Sequence, residues 1–203
     1  MGCKISGFEN GPLEVDCENV EFIQDGKKLE VKNPSYLCRC GHSKSKPFCD
    51  GTHAKVDFES KREISEEVLQ NYEGKELSIH FNRSICSGSS HCVHGLGSVF
   101  KSGDNLNWID PNAAKAENII KQIKACPSGA LSYSIKNEVQ IDSRHLSKIE
   151  IIKNGPYNVE GINLEGFDFP TKFSATKYTL CRCGYSKNKP FCDYSHAEKN
   201  WKD

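Results

Sequence analysis

The chain has 203 residues, 36% of them hydrophobic, and its 27 basic side chains balance 27 acidic ones. A formal charge of zero gives no bulk attraction for a polyanion, so no nucleic-acid partner is expected. No stretch has the apolar length of a membrane span, and MGCKISGFENGP at the start has no apolar run of a secretion signal, so the expected setting is the cytoplasm, away from the membrane.

Eleven cysteines stand out in so polar a chain. Their odd number argues against a secreted disulfide framework and for thiols kept reduced, where they can gather metal. Cohesion beyond a small apolar core is then expected from metal sites.

In chain order, the alternating run LEVDCENVEFI (13–23) and then YLCRC (36–40) read as short strands parted by Gly and Asn turns. The string CRCGHSKSKPFCDGTH follows at 38–53. Next, ISEEVLQNY (64–72) sets Ile64, Val68, Leu69 and Tyr72 near one face of a helix. ELSIHF (76–81) reads as a strand, and NAAKAENIIKQIKAC (112–126) as a second helix with Ala116, Ile119, Ile120 and Ile123 on one face. GALSYSI (129–135) returns as a strand, which makes the middle a βαβ-like unit.

The opening pattern then recurs. NGPLEV (10–15) matches NGPYNV (154–159), and CRCGYSKNKPFCDYSH (181–196) repeats the cysteine string without a gap. Neither copy has a long helix, and each alone has little core, so the copies are expected to pack as a pseudo-twofold pair within one monomer. The fold class is α+β: two small β-rich units around an inserted α+β domain. The units run 1–60, 61–73 as a helical linker, 74–140 and 141–203.

Each outer string has the form C-x-C-x8-C-x3-H, which gives Cys38, Cys40, Cys49 and His53, then Cys181, Cys183, Cys192 and His196. On spacing alone, three thiolates and an imidazole suit either an iron–sulfur centre or zinc. Asp50 and Asp193, one residue past a cysteine, are expected to cap turns through backbone amides. Lys44, Lys46, Lys187 and Lys189 are expected to be solvated.

Both strings closely resemble CDGSH-type iron–sulfur domains. Ser43, Pro47, Asp50 and Gly51 fill the family's other positions in the first copy, and Ser186, Pro190 and Asp193 do so in the second. Tyr194 stands where the family has glycine. The resemblance implies two 2Fe-2S clusters, each held by three cysteines and one histidine, with the C-x-C pair on the inner iron and the last Cys and His on the outer one. Histidine ligation would make them pH-sensitive and easier to reduce than an all-thiolate site.

In the middle, CSGSSHC (86–92) and CPSGAL (126–131) supply Cys86, Cys92 and Cys126. Ser89 lies where a cubane signature would place a cysteine. Three thiolates suit a 3Fe-4S cluster; a 4Fe-4S cluster would need Ser89, His91, His94 or a solvent species at its fourth corner. With Val99, Phe100, Pro127, Gly129 and Ala130, this segment resembles the divergent mono-cluster ferredoxins. Cys3 and Cys17 belong to no repeated pattern.

No phosphate loop, organic-cofactor fingerprint or catalytic triad appears. The expected function is one-electron transfer by a carrier rather than an enzyme, with a redox protein or cluster acceptor as partner. Cluster storage or transfer and redox or pH sensing form the second reading, and a zinc-stabilised interaction module the third.

Overall fold

Each N-G-P triplet turns the chain back on itself. In the computed structural model, which describes residues 2–103, 107–170 and 172–203, Asn10 and Asn154 take left-handed backbone angles, with φ of 49° and 53°. Asparagine tolerates that region better than most residues do. The first repeat forms β1 (Lys4–Gly7), β2 (Leu13–Asp16), β3 (Glu21–Gln24), β4 (Lys27–Leu29) and β5 (Ser35–Leu37). The middle contributes β6 (Leu69–Tyr72), β7 (Ser78–Asn82), α1 (His91–Gly95), α2 (Ala116–Lys124), β8 (Leu131–Ile135) and β9 (Glu138–Gln140). The second repeat forms β10 (Lys148–Ile151), β11 (Tyr157–Glu160), β12 (Asn163–Leu164), β13 (Lys177–Leu180) and α3 (Ser195–Glu198).

The two repeats exchange strands. β1, β2 and β5 pair antiparallel, and β10, β11 and β13 do the same. β12 then crosses to lie parallel to β1, pairing Asn163 with Lys4, while β3 lies parallel to β10, pairing Glu21 with Lys148. The sheets therefore run β12-β1-β2-β5 and β13-β11-β10-β3-β4. Three short strands alone leave open edges and little buried area, and the exchange supplies both an edge and a core. One apolar cluster joins Ile5 and Phe22, Ile79 and Ile119, and Tyr157 and Tyr178, so all three segments share it. The expected α+β class and the packed repeats are what the chain forms.

The middle differs from expectation in two ways. No helix forms over 61–73: Val68 and Leu69 are exposed, and β6 pairs with β7. Backbone pairing along a sheet edge overrides a helical spacing of four apolar residues. The sheet, in the order β6-β7-β8-β9, is antiparallel throughout, so the unit is not a βαβ crossover. The helix over 112–126 is present as α2, which buries Ile119 and Ile123 against the core.

One link fastens the middle to the second repeat, and another closes a hairpin of the first. Lys177 of β13, 2% exposed, meets Asp142 Oδ2 at 2.7 Å and donates to the Lys124 carbonyl at 3.1 Å. Arg144 donates to the same carbonyl at 2.7 Å. Both cations sit at the C-terminus of α2, where unpaired carbonyls favour positive charge. Burial works against ionisation of Asp142, but Lys177 and Arg144 hold its pKa below the ordinary value. At the other end, Cys3 and Cys17 form a disulfide rather than standing apart as unpatterned thiols. The register that pairs Lys4 with Asp16 sets residues 3 and 17 opposite one another. No helix of the described residues is long and apolar enough to cross a membrane.

Candidate functional site

Each cysteine string begins where a sheet strand ends. Leu37 bridges to Phe48 and Leu180 to Phe191. The Cys38 amide donates to the Pro47 carbonyl, and the Cys49 amide to that of Tyr36, both at 2.9 Å. Cys181 and Cys192 repeat these bonds with Pro190 and Thr179. Ser43 Oγ donates to the Phe48 carbonyl at 2.7 Å, as Ser186 does to that of Phe191.

Asp50 accepts from the amides of Lys44 and Thr52, and Asp193 from those of Lys187 and Ser195, so both are turn caps. Bonds from Thr52 and Lys44 hold the Asp50 carboxyl below the usual range. Lys46 and Lys189 are not simply solvated, because their ammonium groups donate back to Ser43 and Ser186 carbonyls within the loops.

The residue inside each C-x-C is a buried arginine. Arg39 donates to the Gly11 carbonyl at 2.7 Å and Arg182 to that of Ile152 at 2.7 Å, tying each loop to its N-G-P turn. Arg182 also pairs with Asp203. Burial lowers the Arg39 pKa to about 10, which leaves it cationic at neutral pH.

The thiols stand in twos. Cys38 and Cys40 hold their sulfurs 3.6 Å apart, and so do Cys181 and Cys183. The bond from Cys40 draws the Cys38 thiol down to about 5 against the opposing effect of burial, and Cys40 is raised in turn. Cys183 likewise draws Cys181 down to about 7. Cys49 Sγ lies 3.3 Å from His53 Nδ1, and Cys192 Sγ lies 3.4 Å from His196 Nδ1. Burial raises both Cys49 and Cys192 and lowers His196.

The two C-x-C loops meet back to back. A Cβ on Gly41 would stand 2.3 Å from the Cys183 carbonyl oxygen, and one on Gly184 would stand 2.5 Å from that of Cys40. Beside this contact a cleft of about 280 Å³ is lined by Cys40, His42, Phe58, Cys183, Tyr185 and Lys189.

Tyr194 keeps the glycine conformation of its counterpart, with φ of 81° against 83° for Gly51. Its ring covers Gly88, where a Cβ would come within 2.0 Å, and Arg83 lies 5.9 Å from its centre. Asn188 donates to the Ser84 carbonyl at 2.8 Å alongside. The second repeat's outer edge is thus packed on the middle segment, whereas a Cβ on Gly51 would meet open space.

In the middle, Cys86 follows β7, Cys92 lies in α1 and Cys126 follows α2. Burial raises Cys86, and burial with the charges of Cys126 and Cys86 takes Cys92 to about 11. The Cys126 thiol faces Ser128 Oγ at 3.6 Å. Ser89, His91 and His94 are exposed.

Among the described residues, no three Cys, His, Asp or Glu side chains form a group able to hold a metal ion. Inner thiols bond each other, each outer thiol bonds an imidazole, and Cys126 faces a serine. The arrangement does not fit the expected groups. It corrects the expectation of two 2Fe-2S clusters at Cys38, Cys40, Cys49 and His53 and at Cys181, Cys183, Cys192 and His196. It likewise corrects the 3Fe-4S or 4Fe-4S cluster at Cys86, Cys92 and Cys126. Cluster-borne electron transfer, cluster storage or transfer, redox or pH sensing by a cluster, and a zinc-stabilised module fall with them.

Sequence reasoning also missed three features: the Cys3–Cys17 disulfide, the Asp142–Lys177 anchor and the seat of Tyr194 on Gly88. The first had a signal in the hairpin register, and the other two join residues too distant in sequence to leave one.

Residues 10–54 and 154–197 match the family described as "Iron-binding zinc finger CDGSH type", and residues 72–136 match "Divergent 4Fe-4S mono-cluster". The chain is 40% identical over 68 residues to the protein named "Uncharacterized protein YjdI" of Escherichia coli K12, covering 32% of this chain and 84% of that one. The protein of the same name in Escherichia coli O157:H7 matches to the same extent. A "CDGSH iron-sulfur domain protein" of Drosophila melanogaster is 35% identical over 75 residues, which span 37% of this chain and 47% of the fly protein. No solved structure matches. Two CDGSH-type regions thus flank a divergent mono-cluster ferredoxin-type segment in this chain.

Proposed function

We propose that the chain is a dithiol protein that exchanges with disulfides at its two C-x-C pairs. The observation that carries this reading is the 3.6 Å sulfur separation found in both pairs. Closing either pair requires its sulfurs to approach to about 2.05 Å. The shared cleft, which reaches Cys40 and Cys183, gives a disulfide-bearing reactant a way in.

In the exchange, one thiolate of the pair attacks the reactant's S–S bond, forming a mixed disulfide and expelling one thiol. The second cysteine displaces the other half. The protein loses two S–H bonds and gains one S–S bond, while the reactant gains two S–H bonds. The bond from the partner thiol favours the thiolate form of Cys38 and of Cys181. The reading takes 1–60, 74–140 and 141–203 as the units of a cytoplasmic monomer. Strand exchange, which fills the place of a dimer partner, supports the single chain.

The test equilibrates the full chain with reduced and oxidised dithiothreitol and maps disulfides by mass spectrometry. Cys38–Cys40 and Cys181–Cys183 disulfides should appear in two-electron steps. Pairs that stay reduced across the whole range overturn the reading. So does full-length protein that carries stoichiometric iron and acid-labile sulfide with these four thiols blocked.

A further inference from the structure

A cavity of about 570 Å³ opens in the middle segment, and no residue of either C-x-C string lines it. Its size falls within the range of about 300–1,000 Å³ that holds small ligands. The floor follows from strand register. Gln70 of β6 pairs with Phe81 of β7, so both side chains stand on one face of the sheet. The half-buried Trp108 packs over them: its ring meets Phe81 edge-on at 4.9 Å, and its Nε1 donates to Gln70 Oε1 at 3.3 Å. The Tyr72 hydroxyl donates to the same oxygen at 2.8 Å. Both donors engage the Gln70 oxygen, which orients the amide and leaves its nitrogen as a donor at the cavity wall.

Arg83 and Lys101 stand on the walls above this floor. The Lys101 amide donates to the Trp108 carbonyl at 2.7 Å, which sets the cation and the indole on facing stretches of chain. Arg83 is held by its amide, which donates to the Val68 carbonyl at 2.9 Å. Its guanidinium lies 5.9 Å from the centre of the Tyr194 ring and donates to the Asp193 carbonyl at 3.5 Å. Both side chains are exposed, and neither has a carboxylate partner among the described residues. No Asp or Glu among the described residues lines the cavity, so its charges are of one sign.

We propose that this cavity binds a small aromatic phosphate of mononucleotide size, its ring against Trp108 and its phosphate between Arg83 and Lys101. The inference does not depend on the thiol–disulfide reading. Two separate cations suit the two charges of a phosphate monoester better than the single charge of a carboxylate. A planar ring stacks on an indole, and the Gln70 amide nitrogen can donate to a ring nitrogen or carbonyl. A long polynucleotide needs a track of cations, which a chain of zero net charge with two basic groups here does not offer.

The experiment is equilibrium dialysis of the full chain as isolated, with adenosine monophosphate and flavin mononucleotide as probes. Adenosine and riboflavin lack the phosphate, and ribose 5-phosphate lacks the ring. At least one probe should bind about tenfold tighter than its dephosphorylated form, in keeping with one charge-assisted hydrogen bond. It should also bind about tenfold tighter than ribose 5-phosphate, in keeping with one stacked ring. Lys101→Gln and Arg83→Gln alter exposed side chains and should each weaken the probe about tenfold while leaving adenosine and riboflavin unchanged. Trp108→Leu should remove the preference for a ring; if that variant does not fold, the Lys101 and Arg83 variants decide alone. Failure of both probes to bind overturns the inference, and so does affinity that the Lys101 and Arg83 variants leave unchanged. Affinity matched by ribose 5-phosphate reduces the site to an anion contact and overturns the ring assignment. Tighter binding of an oligoadenylate than of adenosine monophosphate assigns the surface to nucleic acid and overturns it too.

Discussion

The hydroxyl of Tyr157, in the second repeat, stands 2.8 Å from the backbone carbonyl of Cys38, in the first. It also lies 2.9 Å from the Pro47 carbonyl, so one buried proton is shared between both ends of the first cysteine loop. In the N-G-P alignment the matching residue of the first repeat is Leu13, which has no such donor. The cross-link is therefore one-sided, and it adds a polar tie to the strand exchange exactly where a thiol pair is held.

Tyr157→Phe should remove that tie and little else. Pro47 keeps the bond from the Cys38 amide, but the Cys38 carbonyl loses a donor in the core. The expected cost is about 1–3 kcal/mol, read from denaturant unfolding. Burial raises the pKa of Tyr157, so its contribution is fully present below its unfolded value, about 10. It is lost as pH rises further toward the folded value. The alkaline loss of stability should therefore shrink in the Phe variant. A change under about 0.5 kcal/mol, within the usual range for surface substitutions, would show that the hydroxyl carries no such tie.

Asp142→Asn should strand Lys177, an ammonium 2% exposed at the C-terminus of α2. Removing one partner of a buried pair costs about 3–5 kcal/mol when both are fully enclosed; Asp142 is 16% exposed, which puts the expected loss near the lower figure. The Asp142 pKa is depressed in the folded chain, so the benefit is present above its unfolded value near 4. It disappears as pH falls through the folded value. Unfolding curves of the two proteins should converge in acid, and a gap that persists unchanged there would assign the loss to something other than this charge.

Two glycines with similar backbone angles separate conformation from packing. Gly26 (φ 73°) faces open space, whereas Gly184 (φ 82°) has the Cys40 carbonyl 2.5 Å from where a Cβ would go. Gly26→Ala should cost only the left-handed penalty, about 1–2 kcal/mol. Gly184→Ala must also push the two C-x-C loops apart, so it should cost at least about 2 kcal/mol more, in the range of other core overpacking. Equal losses in thermal unfolding would mean that the loops do not press together.

How much of this was legible in the sequence depended on how local its cause was. The turn at Asn10, the face of α2 and the strands at Ser78–Asn82 and Leu131–Ile135 follow from spacing within a dozen residues. The crossing of β3 and β12 does not, because pairing Glu21 with Lys148 leaves no periodic trace in either segment. Leu69 misled for the opposite reason: its local pattern suits a helix, but the edge of β7 offered a stronger set of bonds. The cysteine spacing was fully visible, yet it fixes only which donors are near in sequence. Which atom each sulfur meets, Ser128 Oγ for Cys126 and His53 Nδ1 for Cys49, is a matter of the folded chain.

Tyr194 and Gly88 offer a direct measure of coupling between the second repeat and the middle segment. In the unaltered chain, Gly88→Ala would set a Cβ 2.0 Å from the tyrosine ring, at a φ of 69° that already disfavours alanine. The expected cost is about 3 kcal/mol, made up of the left-handed penalty and overpacking. In a Tyr194→Gly background the ring is gone, and only the backbone penalty of about 1–2 kcal/mol should remain. Contacting residues couple by about 0.5–3 kcal/mol in double-mutant cycles, so a difference of at least about 1 kcal/mol is expected between the two backgrounds. Additive losses would place the ring away from Gly88 in solution.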